Sequence, residues 1–195
     1  MKYLHIKNEI KTTIIQSSKI IANSISLIPK IEKTISVITD CIKNGNKVII
    51  FGNGGSAADA QHIAAEFIGR FGMDRKSYPA LSLTTDSSIM TSIANDYSFD
   101  KIFSRQCESL VLKGDVVIGI STSGNSKNVM NGLLTAKKKG AITIGLLGND
   151  GGSIKKAADI SIIINSFSTP RIQEAHITIY HVICQIVETN LTTKK

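Results

Sequence analysis

The residues best suited to chemistry lie in the segment 52–66, where a glycine-rich turn is followed by a predicted helix. His62 and Glu66 stand four residues apart and are therefore expected on one face of that helix. An imidazole and a carboxylate at this spacing can share a metal ion, or act on one substrate as acid and base. The glycines let a ligand approach the backbone, and the helix N-terminus offers N–H groups to an anion. The segment therefore indicates an active site.

A second predicted helix, near the end of the chain, carries a matching set of side chains. Gln173 and His181 are eight residues apart, slightly more than two turns, so they share roughly one side of the helix. His176 points in nearly the opposite direction to His181. Together with His62 and Glu66, the pair Gln173 and His181 would form a mixed nitrogen and oxygen site suited to zinc or a similar ion. The same side chains would also suit direct action on a substrate, and spacing alone does not choose.

A hydroxyl-rich turn, 121–126, follows another predicted strand and precedes a helix. Side-chain hydroxyls and backbone N–H groups at a helix N-terminus form a favourable cradle for an anion. The turn holds no Lys or Arg and does not match the nucleotide-binding P-loop. An ordinary serine-rich N-cap is the alternative interpretation, but four hydroxyls beside a glycine at a strand end favour a phosphate site.

Two further patterns are less specific. Gly52, Gly54 and Ala57 match the relaxed dinucleotide fingerprint, but the second predicted strand and the acidic residue after it come too late for that motif, which disfavours nicotinamide binding. Asn95 and Asp96 offer amide and carboxylate groups suited to hydroxyl recognition, while a loop cap explains them equally well.

The elements that must position these side chains alternate between short apolar strands and helices. This alternation predicts an α/β fold: a doubly wound, five-stranded parallel sheet in an αβα sandwich with N-terminal helices, with ligands bound outside the carboxyl ends of the strands. The predicted strands are 47–51, 80–83, 115–120, 141–147 and 160–164. The predicted helices are two within 3–44, separated near Pro29, followed by 56–70, 87–94, 99–112, 125–139 and 171–191.

The composition of the chain bears on the number of domains, the class of ligand and the cellular location. A chain of 195 residues with 42% hydrophobic and 19% charged residues fits one domain, 1–195, whose first 44 residues form a helical segment. The low aromatic content of 5% and the lack of Trp argue against nucleic-acid binding by stacking, whereas a net charge of +8 suits a phosphorylated ligand. Three widely spaced cysteines, the lack of a signal peptide and the lack of a membrane span predict a cytoplasmic protein without a membrane partner.

Three motifs, 52–62, 121–126 and 171–176, resemble those of the sugar isomerase (SIS) proteins, and within them the phosphoheptose isomerase branch. The first and third are specific to this branch, the serine turn is shared across sugar-phosphate SIS proteins, and the similarity covers nearly the whole chain. The resemblance implies a homotetrameric cytoplasmic enzyme that converts sedoheptulose 7-phosphate to D-glycero-D-manno-heptose 7-phosphate. It also implies sites near the subunit interfaces, with residues 1–44 in the interface.

The resemblance assigns roles by position. Glu66 and His181 match the family's acid/base pair, and with His62 and Gln173 they match its zinc-binding positions, which implies one zinc ion per subunit. The implied phosphate ligands are Ser121, Thr122, Ser123 and Ser126. The implied sugar contacts are Asn53, Gly54, Gly55, Glu66, Asn95, Asp96 and Gln173.

An aldose–ketose interconversion moves a proton between adjacent carbons through an enediol, for which Glu66 is the expected base and His181 the expected acid. Two other functions stay open. One relative of the family is a non-catalytic regulator that binds the replication initiator and has lost the acid/base pair, although both residues are present here. An isomerase of another phosphosugar would keep the same fold and site type. Thr169 and Pro170 precede Arg171 where some members carry an acidic residue, which leaves the sugar-end contacts open.

Overall fold

One parallel sheet organises the chain. The computed structural model describes residues 2–193, with side chains from residue 5 onward, so Met1, Lys194 and Lys195 of the predicted 1–195 domain lie outside the described residues. The strands are β1 (Val48–Gly52), β2 (Ala80–Ser82), β3 (Val116–Ser121), β4 (Ile142–Gly148) and β5 (Ile160–Ile164). The α-helices are α1 (Lys2–Asn23), α2 (Ile28–Lys43), α3 (Gly55–Ile68), α4 (Ser87–Asp96), α5 (Ile102–Leu110), α6 (Lys127–Lys138), α7 (Ile154–Ala157) and α8 (Thr169–Thr192). The predicted fold, with its five parallel strands, is confirmed.

Both faces of the sheet are covered by helices, which explains the continuous apolar runs of the strands. Every residue of β1 and β3 is buried, as central parallel strands require. Alternate residues of β1 enter two separate cores: Ile50 packs with α2, α3 and α8, while Phe51 packs with α5 and α6. Phe51 stacks on Phe103 of α5 with ring centroids 4.7 Å apart. Because successive side chains of a strand point to opposite faces of the sheet, β1 packs against helices on both faces.

Several predicted helix bounds need correction. The N-terminal helices separate at a 3-10 turn, Ser24–Leu27, a few residues before Pro29. Pro29 itself lies in the first turn of α2. It does not interrupt that helix, because an N–H at this position would have no intrahelical partner. The predicted helix 99–112 is a 3-10 turn, Phe99–Lys101, followed by the shorter α5. The short α7 was not predicted. Among the described residues, no helix combines the length and hydropathy needed to cross a membrane.

The strand order places the two candidate turns side by side. The sheet runs β2-β1-β3-β4-β5, so the direction of winding reverses between β1 and β3. Gly52 at the end of β1 is in register with Ile120 near the end of β3. The glycine turn and the serine turn therefore leave neighbouring strands at the same edge, the switch point at which open α/β sheets bind their ligands.

Candidate active site

The glycine turn brings α8 to the start of α3. Gly54 has a φ of +56°, in a region that glycine enters without steric cost, and it precedes the first residue of α3. The amide end of Gln173, from the first turns of α8, lies so close to Gly55 that a Cβ at this position would have to displace it. Glycines here therefore serve both the sharp turn and the approach of a candidate ligand residue.

His62, Glu66 and His181 meet as the spacing predicts. His62 Nε2 lies 3.0 Å from Glu66 Oε1, one turn further along α3. Each of the three side chains offers a ligand atom within 4.8 Å of the others. His62 is 45% exposed and Glu66 20% exposed, so the cluster opens to solvent. We call these three residues the His–Glu cluster.

The donor set of the His–Glu cluster fits a metal ion. His181 Nε2 is buried and has no hydrogen-bond partner within residues 5–193. A buried ring nitrogen without a partner is costly unless something binds it. Two imidazoles and a carboxylate, with one side open, are ligands typical of a zinc site that keeps a position for substrate. Gln173 lies on the same helix as His181, with its amide against Gly55, and its part in a metal site stays a prediction.

A tyrosine and an aspartate that the sequence analysis did not single out lie behind the cluster. The Tyr180 hydroxyl is 3.1 Å from His62 Nδ1 and 3.4 Å from Asp59 Oδ1. Burial raises the pKa of Tyr180, and the neighbouring Asp59 raises it further. Burial likewise raises the pKa of Asp59, although the hydrogen bond from Tyr180 opposes this. In the sequence Tyr180 has the spacing of a core residue of α8, which concealed its contact.

The serine turn is organised by its own hydroxyls. Ser121 Oγ lies 3.0 Å from Ser126 Oγ and 3.4 Å from Ser123 Oγ. Ser126 occupies the N-cap position of α6, yet its side chain makes no capping hydrogen bond, so its hydroxyl faces the turn. Asn125 N–H donates to Ser123 Oγ at 3.1 Å. Three serine hydroxyls therefore lie together just before the N-terminus of α6, an arrangement that suits a phosphate.

An amide pair joins the glycine turn to α6. Asn53 Nδ2 donates to Asn128 Oδ1 at 2.9 Å, and Asn128 Nδ2 returns a bond to Asn53 Oδ1 at 2.8 Å. The Asn128 oxygen also accepts the Val129 N–H. The Asn53 carboxamide is thereby engaged with a buried neighbour, which fixes the spacing between the two turns. Asn128 gives no signal in the sequence, because it reads as an ordinary first-turn helix residue.

Asn95 and Asp96 lie in the last turn of α4 rather than in a following loop, since the predicted helix 87–94 extends to Asp96. Both are exposed, and Asn95 Nδ2 donates to Asp96 Oδ1 at 2.9 Å. In the described part of the chain, no hydrogen bond joins either side chain to the glycine turn, the serine turn or the His–Glu cluster. Their contact with a sugar stays a prediction.

A buried ion pair holds the loop that follows α3. The Glu188 carboxylate accepts the backbone N–H groups of residues 71–73 at 2.8–2.9 Å. Arg75 Nε donates to Glu188 Oε1 at 2.9 Å, and Arg75 Nη2 donates to the Glu66 carbonyl at 2.8 Å. Burial alone would raise the pKa of Glu188, but these N–H donors and Arg75 outweigh it and lower that pKa. The Arg75–Glu188 pair therefore reaches the backbone of the cluster.

Comparison with known proteins agrees with this geometry. The SIS domain family matches residues 16–148. The chain is 57% identical over 168 residues to the phosphoheptose isomerase of Citrifermentans bemidjiense, which covers 86% of this chain and 88% of that relative. The structure of a phosphoheptose isomerase from Neisseria gonorrhoeae matches with a TM-score of 0.90 at 36% identity, covering 94% of this chain and 99% of the other. One from Francisella tularensis matches with a TM-score of 0.89 at 32% identity, covering 97% and 100%. The chain therefore belongs to the SIS-domain family and, within it, to the phosphoheptose isomerases.

Proposed function

We propose that this protein is an aldose–ketose isomerase that converts sedoheptulose 7-phosphate to D-glycero-D-manno-heptose 7-phosphate. The observation that carries the proposal is the meeting of His62, Glu66 and His181. The hydroxyl-rich turn follows β3, the sheet neighbour of the strand that leads into α3. One region offers proton-transfer groups and the other an anion cradle, which is what a phosphosugar isomerase needs. Membership of the phosphoheptose isomerases supports the choice of sugar.

The proposed reaction moves one proton between adjacent carbons. Glu66 takes a proton from the carbon next to the substrate carbonyl, and the electron pair left behind forms the double bond of the enediol. His181 passes a proton to the former carbonyl oxygen and receives the hydroxyl proton from the neighbouring oxygen. Glu66 then returns a proton to the former carbonyl carbon. A well-placed acid or base typically accelerates such a step by about 10²–10⁴-fold.

The same cluster is the proposed zinc site, with one ion per subunit. His62, Glu66, Gln173 and His181 would hold the ion, and the unpartnered nitrogen of His181 supports this assignment. Zinc at such a site supplies a Lewis acid that polarises a carbonyl oxygen. The protein's own contribution is to hold two imidazoles and a carboxylate together on α3 and α8.

Substrate binding is divided between the two turns. The hydroxyls of Ser121, Thr122, Ser123 and Ser126 are the proposed phosphate ligands, supported by the mutual contacts of the three serine hydroxyls before α6. Binding energy gained there is remote from the reacting carbons and can be used to orient them. The glycine turn is proposed to line the sugar. The proposed sugar contacts are Asn53, Gly54 and Gly55, with Asn95 and Asp96.

We also propose a cytoplasmic homotetramer of single-domain chains, 1–195, with residues 1–44 in the interface and the sites close to it. The outer face of α1 carries isoleucines that are 44–63% exposed, namely Ile6, Ile10 and Ile14. Apolar side chains repeated along one helix support burial against another subunit. The exposure of His62 supports a site near an interface. Three buried free cysteines support a reducing compartment.

The proposed function is tested by turnover of sedoheptulose 7-phosphate with purified protein, before and after loading with zinc. Production of the heptose 7-phosphate is the expected result, with higher activity after loading. A folded, zinc-loaded protein that leaves sedoheptulose 7-phosphate unchanged would contradict the substrate assignment. Parallel assays with other ketose phosphates then distinguish an isomerase of another sugar from a non-catalytic SIS protein. No observation made on the described residues supports the non-catalytic alternative.

A further inference from the structure

The two ring nitrogens of His62 face different partners. Nε2 points to the Glu66 carboxylate at 3.0 Å, on the side where the His–Glu cluster opens. Nδ1 lies 3.1 Å from the Tyr180 hydroxyl, which is 3.4 Å from Asp59 Oδ1. Tyr180 is only 2% exposed and Asp59 only 7% exposed. The side of His62 that faces the protein interior is thus held by a buried chain of polar groups.

The hydrogens and lone pairs available on Asp59, Tyr180 and His62 determine which atom donates in each of these hydrogen bonds. Tyr180 donates its single hydroxyl hydrogen to Asp59 Oδ1 at 3.4 Å, since an ionised carboxylate can only accept hydrogen bonds. The Tyr180 oxygen is then left to accept, and only a hydrogen on His62 Nδ1 can be given to it. A neutral imidazole carries one hydrogen. His62 Nε2 is therefore a bare lone pair.

The bare nitrogen faces another acceptor. His62 Nε2 and Glu66 Oε1 stand 3.0 Å apart, with no hydrogen to share in this tautomer. His181 Nε2 is a further buried nitrogen of the cluster without a partner in the described chain. Electron-rich atoms brought this close are stabilised by a cation between them. The hydrogen-bond chain behind His62 thus prepares the cluster for a metal ion.

We propose that Tyr180 is a positioning residue for the metal site: its hydroxyl, anchored on Asp59, fixes His62 in the Nδ1–H tautomer. The ring is then oriented so that Nε2 presents its lone pair to an ion shared with Glu66 and His181. Tyr180 also packs edge-on against both histidine rings, at centroid distances of 5.4 Å and 4.9 Å. Partners of this kind that lie behind a ligand typically change metal affinity by about 10–100-fold. This inference rests on the metal site of the proposed function.

The tyrosine ring itself belongs to the hydrophobic core beside α2 and α3, so the hydroxyl has to be tested apart from the ring. Tyr180→Phe removes only the hydroxyl. Tyr78→Phe is the matched control, because Tyr78 is also 2% exposed and its hydroxyl contacts Thr192 Oγ1 at 3.2 Å, away from the cluster. Removal of a buried hydroxyl by itself is expected to lower the free energy of unfolding by the same amount in both variants.

The first measurement is zinc affinity by competition with a chelator. We expect Tyr180→Phe to bind zinc roughly 10–100-fold more weakly than the unmodified protein, with Tyr78→Phe unchanged. Unchanged affinity in Tyr180→Phe would overturn the proposal. So would a Tyr78→Phe variant that loses as much affinity, because the effect would then be one of stability alone. Failure of the unmodified protein to bind zinc would overturn it as well.

The second measurement is the ¹⁵N NMR signature of His62 in metal-free protein at about pH 8, above the ordinary pKa of histidine. The hydrogen is expected on Nδ1, and in Tyr180→Phe it should shift toward Nε2, where it can be donated to Glu66. A hydrogen on Nε2 in the unmodified protein would contradict the proposal even if no variant folds. Neither readout uses turnover, so a protein that binds zinc but leaves sedoheptulose 7-phosphate unchanged would contradict the proposed reaction and leave this inference standing.

Discussion

The serine turn follows β3, whereas the His–Glu cluster lies on α3 and α8, and the two are held in different ways. The hydroxyls of the serine turn bond to one another within residues 121–126, so the local sequence builds the cradle. The cluster joins α3 to α8, and it is contacted from behind by Tyr180, which bonds to Asp59, and by Arg75 of the Arg75–Glu188 pair. The proposed phosphate cradle is therefore built mainly by one local segment, whereas the proposed chemistry depends on how two distant helices pack.

The largest expected effect comes from Glu66→Gln, which keeps the shape of the side chain and removes its basicity. We expect kcat to fall by about 10²–10⁴-fold, while KM changes little because the serine turn still binds the phosphate. Steady-state kinetics with sedoheptulose 7-phosphate measures both. The control is Glu108→Gln, at an exposed glutamate of α5, which should leave both constants unchanged. A kcat in Glu66→Gln close to that of the control would remove Glu66 from the chemistry.

Glu188→Gln tests whether the cluster depends on long-range support. It breaks a buried ion pair, and loss of one partner from such a pair typically costs about 3–5 kcal/mol. We expect that loss in the free energy of unfolding, measured by urea denaturation, and a lower kcat because Arg75 no longer holds the Glu66 backbone. Glu108→Gln breaks an exposed pair and should cost less than about 1 kcal/mol. Equal stability of the two variants would contradict a supporting role for the Arg75–Glu188 pair.

Of the two histidines of α8, His176 belongs to the buried core and His181 to the His–Glu cluster. Burial lowers its pKa to about 4 from a usual value of 6.5, although its hydrogen bond with the Leu147 carbonyl opposes the shift. The folded protein holds His176 neutral while the unfolded chain takes up a proton, so its contribution is complete above the usual value and declines as the pH falls toward 4. The linkage amounts to about 2 kcal/mol between about pH 7 and pH 5.

Urea denaturation at these two pH values measures that linkage. His176→Leu should lose less stability than the unmodified protein on going from the higher to the lower pH. An identical pH dependence in both proteins would show that His176 does not account for it. Because His176 lies outside the cluster, the comparison separates acid sensitivity of the core from that of the site.

The smallest effect is expected at the serine turn. Ser126→Ala removes one of the cradle's hydroxyls, and a hydrogen bond to a charged group contributes about 1.5–3 kcal/mol. KM should therefore rise by about 10-fold or more while kcat changes little, the reverse of Glu66→Gln. Ser92→Ala, at an exposed serine of α4 whose hydroxyl donates to the Ile89 carbonyl, is the control. A fall in kcat without a change in KM would contradict the proposal that the serine turn binds the phosphate while the His–Glu cluster performs the proton transfer.

The same division explains what the sequence could predict. The strands were located to within a few residues, because apolar runs bounded by turn residues are local signals. His62 and Glu66 were placed together by helical spacing, and the serine turn by its hydroxyls. Tyr180, Asp59, Asn128 and the Arg75–Glu188 pair were missed, because each acts on a residue of another element. Their contacts follow from how α8 and α6 pack on α3 and β1, which no local pattern encodes.

Isomerisation in D₂O is the measurement that tests the central claim most directly. If Glu66 moves the proton through an enediol, the former carbonyl carbon of the product must carry deuterium, because the partly exposed Glu66 carboxylate exchanges its proton with solvent. We predict deuterium at that carbon in product formed by the unmodified protein, and both product formation and deuterium exchange into substrate slowed by about 10²–10⁴-fold with Glu66→Gln. Product formed in D₂O without any deuterium would show that the hydrogen moves between the carbons without exchange with solvent, and would contradict the account.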